Sequence, residues 1–167
     1  MNSHKYFPPL VCGFGAAVLS TIPGVKSLGC CLVIPIAAWL SLILNEKINK
    51  VQPPVATQSA IFFGLLTGFV AAIFSTGFDV LITIIMHTND FVQTLPQTES
   101  VLQGWNLGGL WKDTSSLLHK MSSDIQANGF SLLYTMAILF SNVIIDSIFG
   151  MIGGLIGMAI QNKRKKF

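Results

Sequence analysis

The sequence predicts an all-α polytopic membrane protein: four transmembrane helices, the first two short and the last two long. An amphipathic helical cap separates helices three and four. Three observations predict this class. The chain of 167 residues is 51% hydrophobic and only 10% charged, against about 25% charged in soluble domains. Its apolar residues fall in four blocks, at about 8–22, 28–44, 59–86 and 130–160. Its one long polar stretch, 88–129, keeps a helical apolar period. The length suits a single membrane domain over 1–167.

The first segment opens at Pro8 and Pro9, whose missing N–H groups cost little at a helix start. Pro23-Gly24 closes it as a turn. It is short for a span, which needs about 17 residues or more, so the first two segments are read either as spans or as a re-entrant hairpin. The second segment carries Pro35, a predicted kink. A polar loop with prolines follows it, and the third and fourth segments both exceed the length a span needs. The basic start and short apolar core at the N-terminus resemble a secretion signal. The apolar run from Cys31 to Leu44 argues that this end is retained.

Lys and Arg set the orientation. Four spans place Lys5, Lys47, Lys50, Lys163, Arg164, Lys165 and Lys166 on one side and Lys26, Lys112 and Lys120 on the other. The basic side is therefore cytoplasmic, with both termini. Between Val101 and Ile125 the apolar residues recur helically, broken at Gly104 and Gly108-Gly109. This reads as a broken amphipathic helix, with Trp105 and Trp111 at the interface, lying on the outer membrane surface or packed over the bundle end.

The long segments carry matching stripes. In the fourth, Asn142, Asp146, Gly150, Gly153 and Gly157 lie on one face; in the third, Gly64, Gly68, Ala72, Ser75, Asp79, Thr83 and His87 do. One antiparallel register aligns Gly64 with Gly157, Gly68 with Gly153, Ser75 with Asp146 and Asp79 with Asn142. Gly64-x-x-x-Gly68, Gly150-x-x-x-Gly154 and Gly153-x-x-x-Gly157 are small-xxx-small motifs, which let helix backbones approach in lipid.

An Asp at the bilayer centre costs roughly 2.5–3.5 kcal/mol on insertion scales. At 1.5 Å per residue from Gln161, Asp146 sits roughly 22 Å from the inner surface, in the outer third of a ~30 Å core. Two readings follow. In one, Ser75, Asp79, Asn142 and Asp146 form a polar stripe that joins helices by hydrogen bonds. In the other, Asp79 and Asp146 line an ion or proton path. Against the second, the sequence offers no basic partner at that depth and no pair of broken helices.

Little else carries chemistry. Cys12, Cys30 and Cys31 lie in apolar surroundings and read as small buried hydrophobes. His87, Asp90 and His119 are scattered candidates for a metal and are read instead as interfacial. Hydrolase, P-loop, zincin and c-type haem motifs are absent from the sequence, which predicts neither an enzyme nor a cofactor. The basic run KRKK, 163–166, has no interleaved aromatics, which excludes a nucleic-acid patch of the usual kind.

Residues 60–91 (AIFFGLLTGFVAAIFSTGFDVLITIIMHTNDF) and 147–166 (SIFGMIGGLIGMAIQNKRKK) resemble a domain-of-unknown-function family of small bacterial membrane proteins. The resemblance covers about half the chain. It implies four spans, a long polar loop before the last, a basic C-terminal end and a bacterial inner-membrane location, with no known activity. The expected function is that of a non-catalytic structural or accessory subunit in a membrane complex or oligomer. The alternative is a small transporter or ion-conducting protein. Expected partners are the lipid bilayer and other membrane subunits or further copies, with no nucleic acid.

Overall fold

The computed structural model describes residues 5–22, 24–50, 54–104 and 109–164, with the backbone alone at 27, 102, 103, 109–111 and 164. Every regular element among the described residues is helical. Helix α1 is Phe7–Ser20, with its two prolines buried in the first turn. Helix α2 is a continuous run of three pieces, Lys26–Leu28, a π-helical turn Gly29–Val33, and Ile34–Asn49. Next come α3 (Thr57–Met86), α4 (Asp90–Gly104), α5 (Gly109–Asn128) and α6 (Leu132–Arg164).

Three helices are long and apolar enough to cross a membrane: Gly29–Asn49, Thr57–Met86 and Leu132–Lys163. The chain is on this ground a membrane protein. The segment expected at 8–22 is a helix of 14 residues, about 21 Å at 1.5 Å per residue, against a hydrocarbon core of ~30 Å. By the same rule the 33 residues of α6 extend about 50 Å and reach beyond the core at one end or both.

The expected kink at Pro35 takes another form. Pro35 lies in the first turn of the α-helical piece Ile34–Asn49, directly after the π-helical turn. Proline has no N–H to give and its ring crowds the carbonyl four residues back. A widened turn just before it accommodates both, and such π-bulges are the usual non-proline cause of a helix irregularity.

The chain divides into two compact units, Met1–Phe78 with Leu139–Phe167, and Asp79–Ile138. In the first, α1 packs along α2 through Ala16, Ile34 and Ala37. Aromatic pairs Tyr6–Phe62 and Phe14–Phe74 set α1 parallel to α3. Gly153 against Pro35 and Gly157 against Trp39 set α6 parallel to α2. Gly64 against Gly150 and Gly68 against Asp146 set α6 antiparallel to α3. The four helices therefore alternate in direction along the chain.

The second unit centres on an α4–α5 hairpin. Asn89 caps α4, its Oδ1 accepting from the Val92 N–H at 3.0 Å. Leu95, Ser122 and Ile125 are buried. Gly129 turns the chain after α5 at φ +68, and a β-carbon there would strike His87 and the Ile84 carbonyl. Glycine is required on both counts. The expected amphipathic helix began at Val101; α4 begins eleven residues earlier, at Asp90, and carries Pro96 within it. The described part of α4 reaches Gly104 and α5 is described from Gly109; the interruption expected between them falls on 105–108, outside the described residues. Trp105, Gly108 and the basic residues 165 and 166 lie outside the described residues, and the side-chain surroundings of Trp111 do too.

Candidate functional site

Four of the glycines singled out by sequence, Gly64, Gly68, Gly150 and Gly154, meet at a seam between α3 and α6. A β-carbon added at Gly64 would collide with the Gly150 carbonyl, and one at Gly68 with the Asp146 carbonyl. The reciprocal collisions occur at Gly150 with Gly64 and at Gly154 with Ala60. No side chain separates the two backbones at these levels. In lipid, where apolar tails solvate both helices equally, contact of this kind is a principal source of helix adhesion.

The expected register is corrected. It set Gly64 opposite Gly157 and Gly68 opposite Gly153. In the structure Gly64 meets Gly150 and Gly154, and Gly68 meets Asp146 and Gly150. The helices are displaced by one to two turns from the expected pairing. The physical reason is a third helix. Gly153 and Gly157 belong to a second small-residue face of α6, turned to α2, where they admit the Pro35 backbone and the Trp39 side chain. The two faces are about 60° apart on the wheel, since three residues advance by 300° at 3.6 residues per turn. One expected stripe therefore serves two neighbours.

The polar groups follow the shifted register. Asn142 Nδ2 donates to Thr76 Oγ1 at 3.0 Å, a bond between α6 and α3. Thr76 is buried. It was not among the residues the sequence singled out, although a step of four from Gly64, Gly68 and Ala72 reaches it as directly as a step of three reaches Ser75. Ser75 Oγ donates instead to its own helix, at Ala72 O, 3.2 Å. Thr67 likewise donates to Phe63 O at 2.7 Å and Thr83 to Asp79 O at 2.6 Å. Asp79 is half-buried and belongs to the second unit.

Asp146 is 8% exposed. Its backbone carbonyl lies against Gly68. Ser75, expected opposite its carboxyl, bonds instead within its own helix. In the π-helical turn of α2, Cys30 and Cys31 bring their sulfurs within 3.5 Å. Cys31 is exposed and Cys12 and Cys30 are half-buried, so none of the three is fully buried within the protein, and Cys31 departs furthest from the expectation.

The scattered metal candidates do not meet. His119 Nε2 lies 2.9 Å from Glu99 Oε1, and Ser115 donates to the same oxygen at 3.1 Å, linking α5 to α4. His87 ends α3 in the left-handed region at φ 51, beside Gly129. No three His, Cys, Asp or Glu among the described residues could hold a metal ion.

Two sizeable cavities lie in the first unit. One, about 630 Å³, is an apolar groove between α1 and α2, floored by Gly15, Ala16 and Ala37 and walled by Phe14, Val18 and Leu40. A β-carbon at Gly15 would meet nothing within 4 Å. Gly13, by contrast, is closed against Thr67 and Val70 of α3, so of the two glycines in α1 Gly15 is the open one. The second cavity, about 510 Å³, has a mixed polar and apolar lining and lies where α2 ends and α3 begins. Neither is lined by Ser75, Asn142 or Asp146.

No family model matches the chain, and comparisons with curated proteins and with solved structures find no match.

Proposed function

We propose that this chain is a non-catalytic, multi-pass protein of the bacterial inner membrane, acting as a structural or accessory subunit of a larger membrane assembly. In this reading α1 crosses as a fourth segment and both termini face the cytoplasm, as the distribution of Lys and Arg suggests. The supporting observation is the apolar groove over Gly15. Small residues at its floor allow a helix backbone to approach, the usual arrangement at helix contacts in membranes. The occupant is a transmembrane helix of another subunit. The seam glycines are closed within the chain, whereas Gly15 at the floor of the groove is open.

The test is purification from native membrane in mild detergent, comparing the natural chain with Gly15→Leu. A β-carbon at Gly15 meets nothing within 4 Å, so the substitution is expected to retain the fold while its side chain fills the groove. A stoichiometric membrane protein that accompanies the natural chain and is lost with Gly15→Leu supports the reading. A chain that purifies alone in both cases contradicts it.

A second reading rests on Asp146, an acid buried in a span. Intramembrane acids commonly mark ion or proton paths. Asp146→Asn in liposomes separates the two readings. Unchanged ion flux with altered stability leaves the structural role; lost flux at unchanged stability supports conduction.

A further inference from the structure

The mixed cavity where α2 ends and α3 begins has no part in the helix packing. Lys5, Asn45, Glu46, Asn49 and Ser59 supply its polar lining, and Leu42 and Phe63 its apolar side. Its 510 Å³ falls within the ~300–1,000 Å³ of small-molecule sites. Its level in the fold is fixed by the helices. Asn45 and Asn49 occupy the last turns of the apolar helix Gly29–Asn49, and Ser59 the first turn of Thr57–Met86. The 21 residues of Gly29–Asn49 extend about 32 Å, close to the ~30 Å hydrocarbon core, so a span of this length puts its ends near the headgroups.

Its charges are of opposite sign and separate. Lys5 is positioned by the Phe62 ring, with Nζ 5.6 Å from the centroid. No ion pair joins Lys5 to Glu46 among the described residues. Asn49 Nδ2 donates to Asn45 Oδ1 at 2.7 Å. With its carbonyl oxygen engaged, Asn45 has its N–H groups as the donors it can offer. The far wall is fixed by Asn162, which accepts from the Val55 N–H at 2.8 Å and donates to its carbonyl at 3.2 Å. A site with one ammonium, one carboxylate, amide donors and an apolar flank matches a ligand that carries both charges and an acyl tail.

We propose that this cavity binds a phosphoethanolamine zwitterion, supplied as the headgroup of a membrane phospholipid. The phosphate faces Lys5 and the Asn45 amide, and the primary ammonium donates to Glu46. The acyl chains leave past Leu42 and Phe63. Charge-assisted hydrogen bonds of this kind are stronger than neutral ones. A quaternary choline has no N–H to give Glu46, and a phosphatidylglycerol has no cation for it.

The test uses the full chain in nanodiscs made from equal parts of phosphatidylethanolamine, phosphatidylcholine and phosphatidylglycerol, released for native mass spectrometry. The expected result is retention of phosphatidylethanolamine over either competitor by about tenfold, the ratio that ~1.4 kcal/mol represents. Glu46→Gln, nearly isosteric, abolishes that preference while thermal unfolding of the chain stays unchanged. Soluble phosphoethanolamine distinguishes the source. If it binds the detergent-purified chain and no lipid is retained, the zwitterion chemistry stands and its source is soluble. Equal retention of the three lipids, preference for phosphatidylglycerol, or a preference that survives Glu46→Gln overturns the proposal.

Discussion

The α3–α6 seam and the α4–α5 hairpin are held together by opposite means. At the seam, side chains are absent where the helices meet, and glycine brings carbonyl against Cα. In the hairpin, side chains make the contact: Leu95 and Ile125 are buried, and Glu99 bridges to Ser115 and His119. The difference follows from the surroundings each sequence is built for. A hairpin of amphipathic helices can gain from covering apolar surface against water. Two helices that expose Phe69, Ile73, Ile148 and Ile152 to lipid gain nothing from covering them. They adhere by approaching closely enough for backbone contact, with few interhelical hydrogen bonds.

The sharpest way to break this contrast is to put bulk into the seam. Gly68→Val places a branched side chain against the Asp146 carbonyl and is expected to cost about 3 kcal/mol, the upper end of overpacking penalties. Gly77→Val, with nothing within 4 Å, is its control on the same helix. Thermal unfolding in detergent measures both. Equal loss from the two would mean that glycine acts through helix propensity and not through contact.

The next effect is smaller. Asn142→Ala removes the bond to Thr76 and is expected to cost about 0.6 kcal/mol, the average for hydrogen bonds between membrane helices, and no more than about 1.7 kcal/mol. A double-mutant cycle with Thr76→Val should recover most of that as coupling. Additive effects would show that the pair is not bonded in the folded protein.

The smallest effect belongs to the hairpin. His119 is 62% exposed and Glu99 19%, so Glu99→Ala is expected to cost about 0.5–1 kcal/mol. Hydrogen exchange should show faster opening of α4 and α5 with the α3–α6 seam unchanged. Faster exchange across the seam as well would mean that the two regions do not open independently.

Much of this was legible in the sequence. The long apolar runs, the polar stretch between them and the small-residue motifs follow from composition and period. What the period cannot supply is axial displacement. A stripe repeating every three to four residues fits its partner equally well after a slip of one turn, so Gly64 had several possible partners. Nor does a pairwise match reveal a third helix, and Gly153 and Gly157 were assigned to α3 because the α2 face that accepts them, Pro35 and Trp39, has no small-residue pattern. The first turns of α4 were missed because Asp90–Ser100 contains few apolar residues and one proline. The cue was Asn89, a helix-capping residue placed just before Asp90. The groove over Gly15 was half legible: the glycine is visible, but not that its neighbour Gly13 is closed.

The central claim is that glycine contacts fix the α3–α6 register at Gly64 with Gly150 and Gly68 with Asp146. Oxidative cross-linking in native membranes tests it most directly, in a background with Cys12, Cys30 and Cys31 replaced by alanine. The pair Thr76→Cys with Asn142→Cys should form an intramolecular disulfide in high yield, while Ser75→Cys with Asp146→Cys should not. The reverse pattern would restore the register expected from sequence and contradict the account.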